Sequence, residues 1–261
     1  MGAAGKERFR VERDGAVLRV ALDHPATLNA LTTEMLTDLA VFVEGLARDD
    51  TVRVVVLTGA GKAFCSGAAL GDVGSDGGPD SSTVRAAERV VLAVRELGKP
   101  VVAAVNGVAA GAGCSLALAC DLIIAKRSAS FLLAFANVGL MPDGGATALV
   151  PAAVGRARAM RMAMLAERVT ADTAAEWGLI TSVVDDGAFD GAVAELVARL
   201  AAGPPLAYAR LKHAINEAAL DQLTAALDRE FVGQDALLAS KDFAEGVRAF
   251  RGRRAPRFTG E

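Results

Sequence analysis

Residues 104–121 read AVNGVAAGAGCSLALACD, and this stretch decides the fold. The apolar run Val101 to Val105 has the composition of a strand, and it meets a cluster of glycines and alanines. A helix-forming segment without a bulky polar side chain follows. Gly107, Gly111 and Gly113 remove side chains where the chain turns, so a ligand can approach bare amides. The first N–H groups of the next helix have no intrahelical acceptor and carry partial positive charge. That suits an oxygen that becomes negative during a reaction. Three other readings fit less well. Pro100 to Cys120 is uncharged, and Gly107 to Gly111 has the small-residue spacing of paired membrane helices. Yet the run is mostly Ala and Gly, and Asn106 interrupts it, which describes a buried core segment. A dinucleotide fingerprint needs glycine where Leu116 stands. A hydrolase nucleophile at Ser115 needs a histidine, and His24 and His213 both sit in stretches unlike an active-site loop.

The order of elements around this stretch alternates. Val17 to Leu22 reads as a strand, and Thr32 can cap a helix with Leu36, Leu39, Ala40, Val43 and Ala47 on one face. Arg53 to Thr58 is a continuous Val-rich run, the mark of a strand buried on both sides. Gly71 to Thr83 is a polar, breaker-rich loop, and Ser81 opens a second amphipathic helix. Leu122 to Ala125 and Phe131 to Ala136 read as two more strands; past Gly155 the pattern is almost wholly helical. The chain is thus an α/β protein with a helical end, divided at 1–203 and 204–261.

Composition narrows the function. The 261 residues are 52% hydrophobic, enough for one large core. A formal net charge of -3 gives no sign of a nucleic-acid partner. Arg248 to Arg257 is the one basic patch, either a solvated helix end or a phosphate contact. Cys65, Cys114 and Cys120 lack metal-ligand spacing and read as reduced thiols of a cytoplasmic protein without a metal. The first residues lack the apolar core of a signal peptide.

Several separated motifs together resemble the crotonase (enoyl-CoA hydratase/isomerase) superfamily over nearly the whole chain. They are Leu28-Asn-Ala-Leu31, Phe64-Cys-Ser-Gly-Ala-Ala-Leu70, Asn106-Gly107 through Gly111-Ala-Gly113, and Val138-Gly-Leu-Met-Pro-Asp-Gly-Gly145. Ala174-Ala-Glu-Trp-Gly-Leu179 and Asp242-Phe-Ala-Glu-Gly-Val-Arg-Ala-Phe250 add to them. The resemblance implies a spiral of ββα units with a C-terminal helical trimerisation region. It also implies an acyl-CoA thioester as partner, no cofactor beyond the coenzyme A of the substrate, and trimers that pair into hexamers. The family's oxyanion hole would be the amides of Ala68 and Ala112, with Ala68, Ala69, Leu70 and Gly71 along the thioester arm.

Departures from the family pattern sharpen the expectation. Hydratases of this family use two glutamates, and the matching positions here hold Ser115 and Phe135, which offer no acid–base pair. Asp143 remains. In a pocket with Phe131, Phe135 and Leu140 its pKa would rise and it could carry a proton. As a loop aspartate before a helix it could equally be a cap. His24 and His213 read as surface residues, Cys65 as a core residue, and Asp121 as an acceptor for backbone amides. Lys62 and the tail arginines could meet coenzyme A phosphates. The expected activity is isomerisation of an acyl-CoA by Asp143. The alternatives are a hydratase drawing carboxylates from Asp72, Asp76 and Asp80, and a non-catalytic acyl-CoA binder.

Overall fold

A computed structural model of the chain describes residues 8–70 and 80–261. The strands are β1 (Phe9–Asp14), β2 (Val17–Leu22), β3 (Val54–Gly59), β4 (Ala63–Cys65), β5 (Val101–Val105), β6 (Val108–Ala110), β7 (Leu122–Lys126), β8 (Ser130–Leu132), β9 (Val169–Thr170) and β10 (Ser182–Val184). The helices are α1 (Thr33–Gly45), α2 (Ser81–Glu96), α3 (Ala112–Leu118), α4 (Ala146–Leu165), α5 (Ala171–Glu176), α6 (Phe189–Ala202), α7 (Pro205–Ala219), α8 (Leu223–Leu238) and α9 (Lys241–Arg251).

Two sheets result. The larger has the order β1-β2-β3-β5-β7-β10 and is parallel apart from the β1–β2 hairpin; the smaller has the order β4-β6-β8-β9. Each turn of the chain leaves one strand in the large sheet and the next in the small one. Thus β3, β5 and β7 are followed by β4, β6 and β8, with α2, α3 and α4 closing the units. This is the ββα spiral that the resemblance implies.

Burial of both faces explains why Val54 to Leu57 of β3 and the whole of β5 are apolar. Val54, Val56, Val102 and Ala104 face α6, where they pack with Phe189, Val193 and Val197. Val55, Leu57, Ala103 and Val105 face the main core with α1 and α2. Thr32 caps α1 through Met35 N–H at 3.2 Å, as expected.

Four expectations change. Phe9–Asp14 is a strand that the sequence reading passed over, and so is Val108–Ala110. The strand expected over Phe131 to Ala136 stops at Leu132, and Ala134–Val138 turns as a 3-10 helix. The segment past Gly155 also contains β9 and β10. Finally, α8 is part of the core rather than an appendage, since Leu223 and Leu227 lie in the main cluster. Helix α7 differs: it has no buried residue and exposes Leu206, Leu211 and Ile215. It is tied down by Lys212, whose ammonium donates to Val94 O and to Asp121 Oδ2, at 2.7 and 2.8 Å.

Candidate active site

Two backbone amides meet at the mouth of the small sheet. Leu31 bridges the segment after β4: its N–H donates to Gly67 O, and its carbonyl accepts from Ala69 N–H, both at 2.8 Å. The neighbours of Ala68 therefore point at Leu31, and by alternation the Ala68 N–H points away from it. The Ala112 N–H opens α3, after Gly111 has turned the chain with φ 51° and ψ -131°. Among the described residues neither amide has a backbone acceptor. Gly67 (φ 104°) and Gly111 face each other so closely that a Cβ on Gly67 would lie 3.6 Å from Gly111 Cα and 3.0 Å from Ala110 O. The missing side chain of Gly67 eases this approach, which brings together the two segments that carry the free donors. Such a pair can hold an oxygen on which negative charge develops.

The amides open into a cavity of about 320 Å³. Leu36, Val84, Ala87, Val138, Leu140, Leu238 and Phe250 give it apolar walls, and Phe135 lines it too. Asp143 is the one carboxylate among its described lining residues. Its side chain does not cap α4, whose N-cap is Gly145. Glu230 of α8 does that work instead: its carboxylate accepts from Gly145 N–H at 2.7 Å and Thr147 N–H at 2.8 Å. Asp143 Oδ2 accepts from Gln234 Nε2 at 2.8 Å, while Oδ1 is buried with no protein donor among the described residues. Burial pushes the Asp143 carboxyl up to about 7; the Gln234 hydrogen bond opposes this, and the Glu230 and Glu88 carboxylates add to it. A carboxyl that titrates near neutrality can take up and release a proton within one cycle. Ser115, at the first hydratase glutamate position, donates from Oγ to Asp143 O at 2.7 Å and so fixes the turn that carries this carboxylate.

The family model for enoyl-CoA hydratase/isomerase matches residues 12–261. This chain is 43% identical to the 1,2-epoxyphenylacetyl-CoA isomerase of Escherichia coli K12, over 94% of the chain and 95% of that protein. It is also 43% identical to a "Probable enoyl-CoA hydratase" of Rhodobacter capsulatus, over 97% of each. A solved enoyl-CoA hydratase structure from Mycobacterium avium subsp. paratuberculosis K-10 matches with a TM-score of 0.92 at 46% identity, covering 97% of this chain and 98% of that one. The chain belongs to the enoyl-CoA hydratase/isomerase family.

The other residues singled out in this hydratase/isomerase-family chain fall into place around the cavity. Ala68, Leu70, Ala112, Phe135, Leu140 and Asp143 line it. Phe131 does not: it is fully buried in the main core, because its strand neighbour Leu132 is the one that faces the cavity. Ala69 alternates out of the lining in the same way, its N–H spent on Leu31. Gly71, Asp72 and Asp76 lie outside the described residues. Asp80 caps α2 by accepting from Ser82 and Thr83 N–H groups at 2.9 and 3.1 Å.

His24 and His213 are exposed, so Ser115 has no histidine partner, and its hydroxyl is already committed to Asp143. Asp121 accepts from Val101 N–H at 2.7 Å, as expected, although the residue is exposed rather than buried. Cys65 and Cys114 are fully buried, and burial pushes both thiols up to about 12, which leaves them inert. Lys62 is exposed and absent from the cavity lining, whereas Arg251 of the basic tail donates to Leu70 O at 2.9 Å.

Sequence reasoning missed Arg168, which lines the cavity and donates to Ser130 Oγ at 2.7 Å. It also missed Gln234 and Glu230. The signal available for those two was a Glu and a Gln four residues apart within an otherwise apolar helix face. No helix among the described residues is long and apolar enough to cross a membrane.

Proposed function

We propose that this protein is an acyl-CoA isomerase of the crotonase type. The thioester oxygen of a bound acyl-CoA sits against the Ala68 and Ala112 amides. The Asp143 carboxylate removes a proton from the acyl chain, the negative charge moves to the thioester oxygen, and the two N–H groups stabilise the enolate. Asp143, now a carboxylic acid, returns the proton to a different carbon. The net change is a shifted double bond, with no water consumed and no redox partner.

The observation that carries this reading is the split use of Asp143. One oxygen is held by Gln234 and the other is buried without a donor among the described residues, in a side chain that lines an apolar cavity, while the hydratase positions implied by the resemblance hold Ser115 and Phe135. The likeness to a 1,2-epoxyphenylacetyl-CoA isomerase supports a ring-bearing acyl group. The exposed apolar residues of α7 support assembly into trimers or hexamers, which light scattering would test; a monomer at micromolar concentration refutes it.

The test of function is a screen of enoyl-, dienoyl- and aryl-acetyl-CoA thioesters with product identification, run on the native protein and on Asp143→Asn. Isomerised products from the native protein and a loss of ~10²–10⁴ in rate for the variant, at unchanged thioester affinity, are expected. Hydrated products refute the isomerase reading in favour of a hydratase. Tight binding without turnover in both proteins leaves an acyl-CoA binder.

A further inference from the structure

Asp143 lines the cavity with its carboxyl group held by one face of α8. Gln234 is almost fully buried, and both ends of its amide are in use. Its Oε1 accepts from Met141 N–H at 3.2 Å, and its Nε2 donates to Asp143 Oδ2 at 2.8 Å. An amide that must accept at one end and donate at the other has a single orientation, so Asp143 Oδ2 always meets an N–H. The remaining oxygen, Oδ1, is buried without a donor among the described residues, in a side chain that shares the cavity lining with Gln234. One helical turn earlier, Glu230 occupies the N–H groups of Gly145 and Thr147, and the first of these is a donor that a capping Asp143 would seek.

We propose that Gln234 is the positioning residue of the proton carrier. It locks one oxygen of Asp143, holds the side chain in one orientation beside the cavity, and favours the ionised form that must begin the cycle. This rests on the reading of Asp143 as proton carrier. The charged groups around Asp143 make the role necessary. Glu230 on α8 and Glu88 on α2 both act against its ionisation. Arg85 is committed to Glu88 at 2.9 Å and lies over the Phe231 ring, while Asp228 adds negative charge near Glu88. Arg168 lines the cavity but bonds to Ser130. The Gln234 amide is the group in contact with the carboxylate that favours its charge.

The experiment uses two variants. Gln234→Met keeps the bulk and removes the donor; Gln234→Glu keeps the shape and can donate to Asp143 only while protonated. Turnover is measured across pH with the acyl-CoA that the native enzyme isomerises, and the Asp143 carboxyl is titrated by carbon NMR against Asp143→Asn. For Gln234→Met a loss on the order of 10²-fold in kcat is expected. KM should stay near the native value, with both the acid limb of kcat/KM and the Asp143 midpoint moved to higher pH. For Gln234→Glu a bell-shaped profile should replace the native plateau, because its alkaline ionisation withdraws the donor. Circular dichroism of each variant identifies any that fails to fold; if Gln234→Met does, the isosteric Gln234→Glu decides, and a native plateau in it overturns the proposal. Unchanged kcat, profile and midpoint in Gln234→Met overturn it as well, with Asp143→Asn inactive. A fully active Asp143→Asn overturns the proton-carrier reading, and this proposal with it.

Discussion

Replacing Asp143 by Asn should raise the stability of this protein at alkaline pH, even as it removes the proposed proton carrier. Burial holds the carboxyl at about 7 in the folded chain, against an ordinary value of 3.8. Between those values the folded state keeps a proton that the unfolded chain has already lost, so stability falls as pH rises through that window. One pH unit of separation corresponds to about 1.4 kcal/mol, which makes the full penalty about 4 kcal/mol above pH 8. At pH 5 the unfolded carboxyl is already ionised, and roughly 1.5 kcal/mol of that penalty is present. Asparagine does not titrate, and the ionisable groups that do not interact with Asp143 cancel in the difference between variant and native protein, leaving Glu230 and Glu88 as the coupled groups. The stability of Asp143→Asn relative to native should therefore grow by about 2–3 kcal/mol from pH 5 to pH 9. Urea unfolding at fixed protomer concentration, at pH 5, 7 and 9, measures it. A difference that stays flat across this range would mean that Asp143 ionises like a solvated carboxylate, and its role as a neutral-pH proton carrier would fall.

Two further variants probe the elements around it. Glu230→Ala should cost about 2 kcal/mol in urea unfolding, because the Gly145 and Thr147 N–H groups lose their buried acceptor; an unchanged midpoint would mean that α4 starts without help from α8. Gly67→Ala places a Cβ at 3.0 Å from Ala110 O in a conformation that L residues avoid. Turnover should drop by ~10²–10³, the loss expected when one oxyanion donor is misaligned, with circular dichroism unchanged; native turnover in that variant would remove Ala68 from the oxyanion pair.

Much of the architecture was legible because it rests on periodicity. Val54 to Leu57 and Val101 to Val105 are apolar at every position, and the large sheet does bury both their faces. Strand β1 escaped notice because it is an edge strand: Arg10, Glu12 and Arg13 face solvent, and its pairing with β2 supplies what its composition does not. Strand β6 is three small residues long, and only its place between β4 and β8 makes it a strand. Phe131 was assigned to the cavity by proximity in sequence, yet the pleat turns it the other way from Leu132.

By itself, the sequence determined the alternating α/β order, the glycine turns before Ala68 and Ala112, the loss of both hydratase glutamates at Ser115 and Phe135, and Asp143 as the carboxylate left over. What it left open was whether Asp143 caps a helix or faces a ligand, since the local pattern around residue 143 fits both. Tertiary structure decided against the side-chain cap. Helix α8, some 90 residues along the chain, brings Glu230 to the start of α4 and Gln234 to Asp143 Oδ2. The physical reason is that a cap is a competition among acceptors for two N–H groups. A carboxylate delivered by a packed helix wins that competition over one that is merely adjacent in sequence.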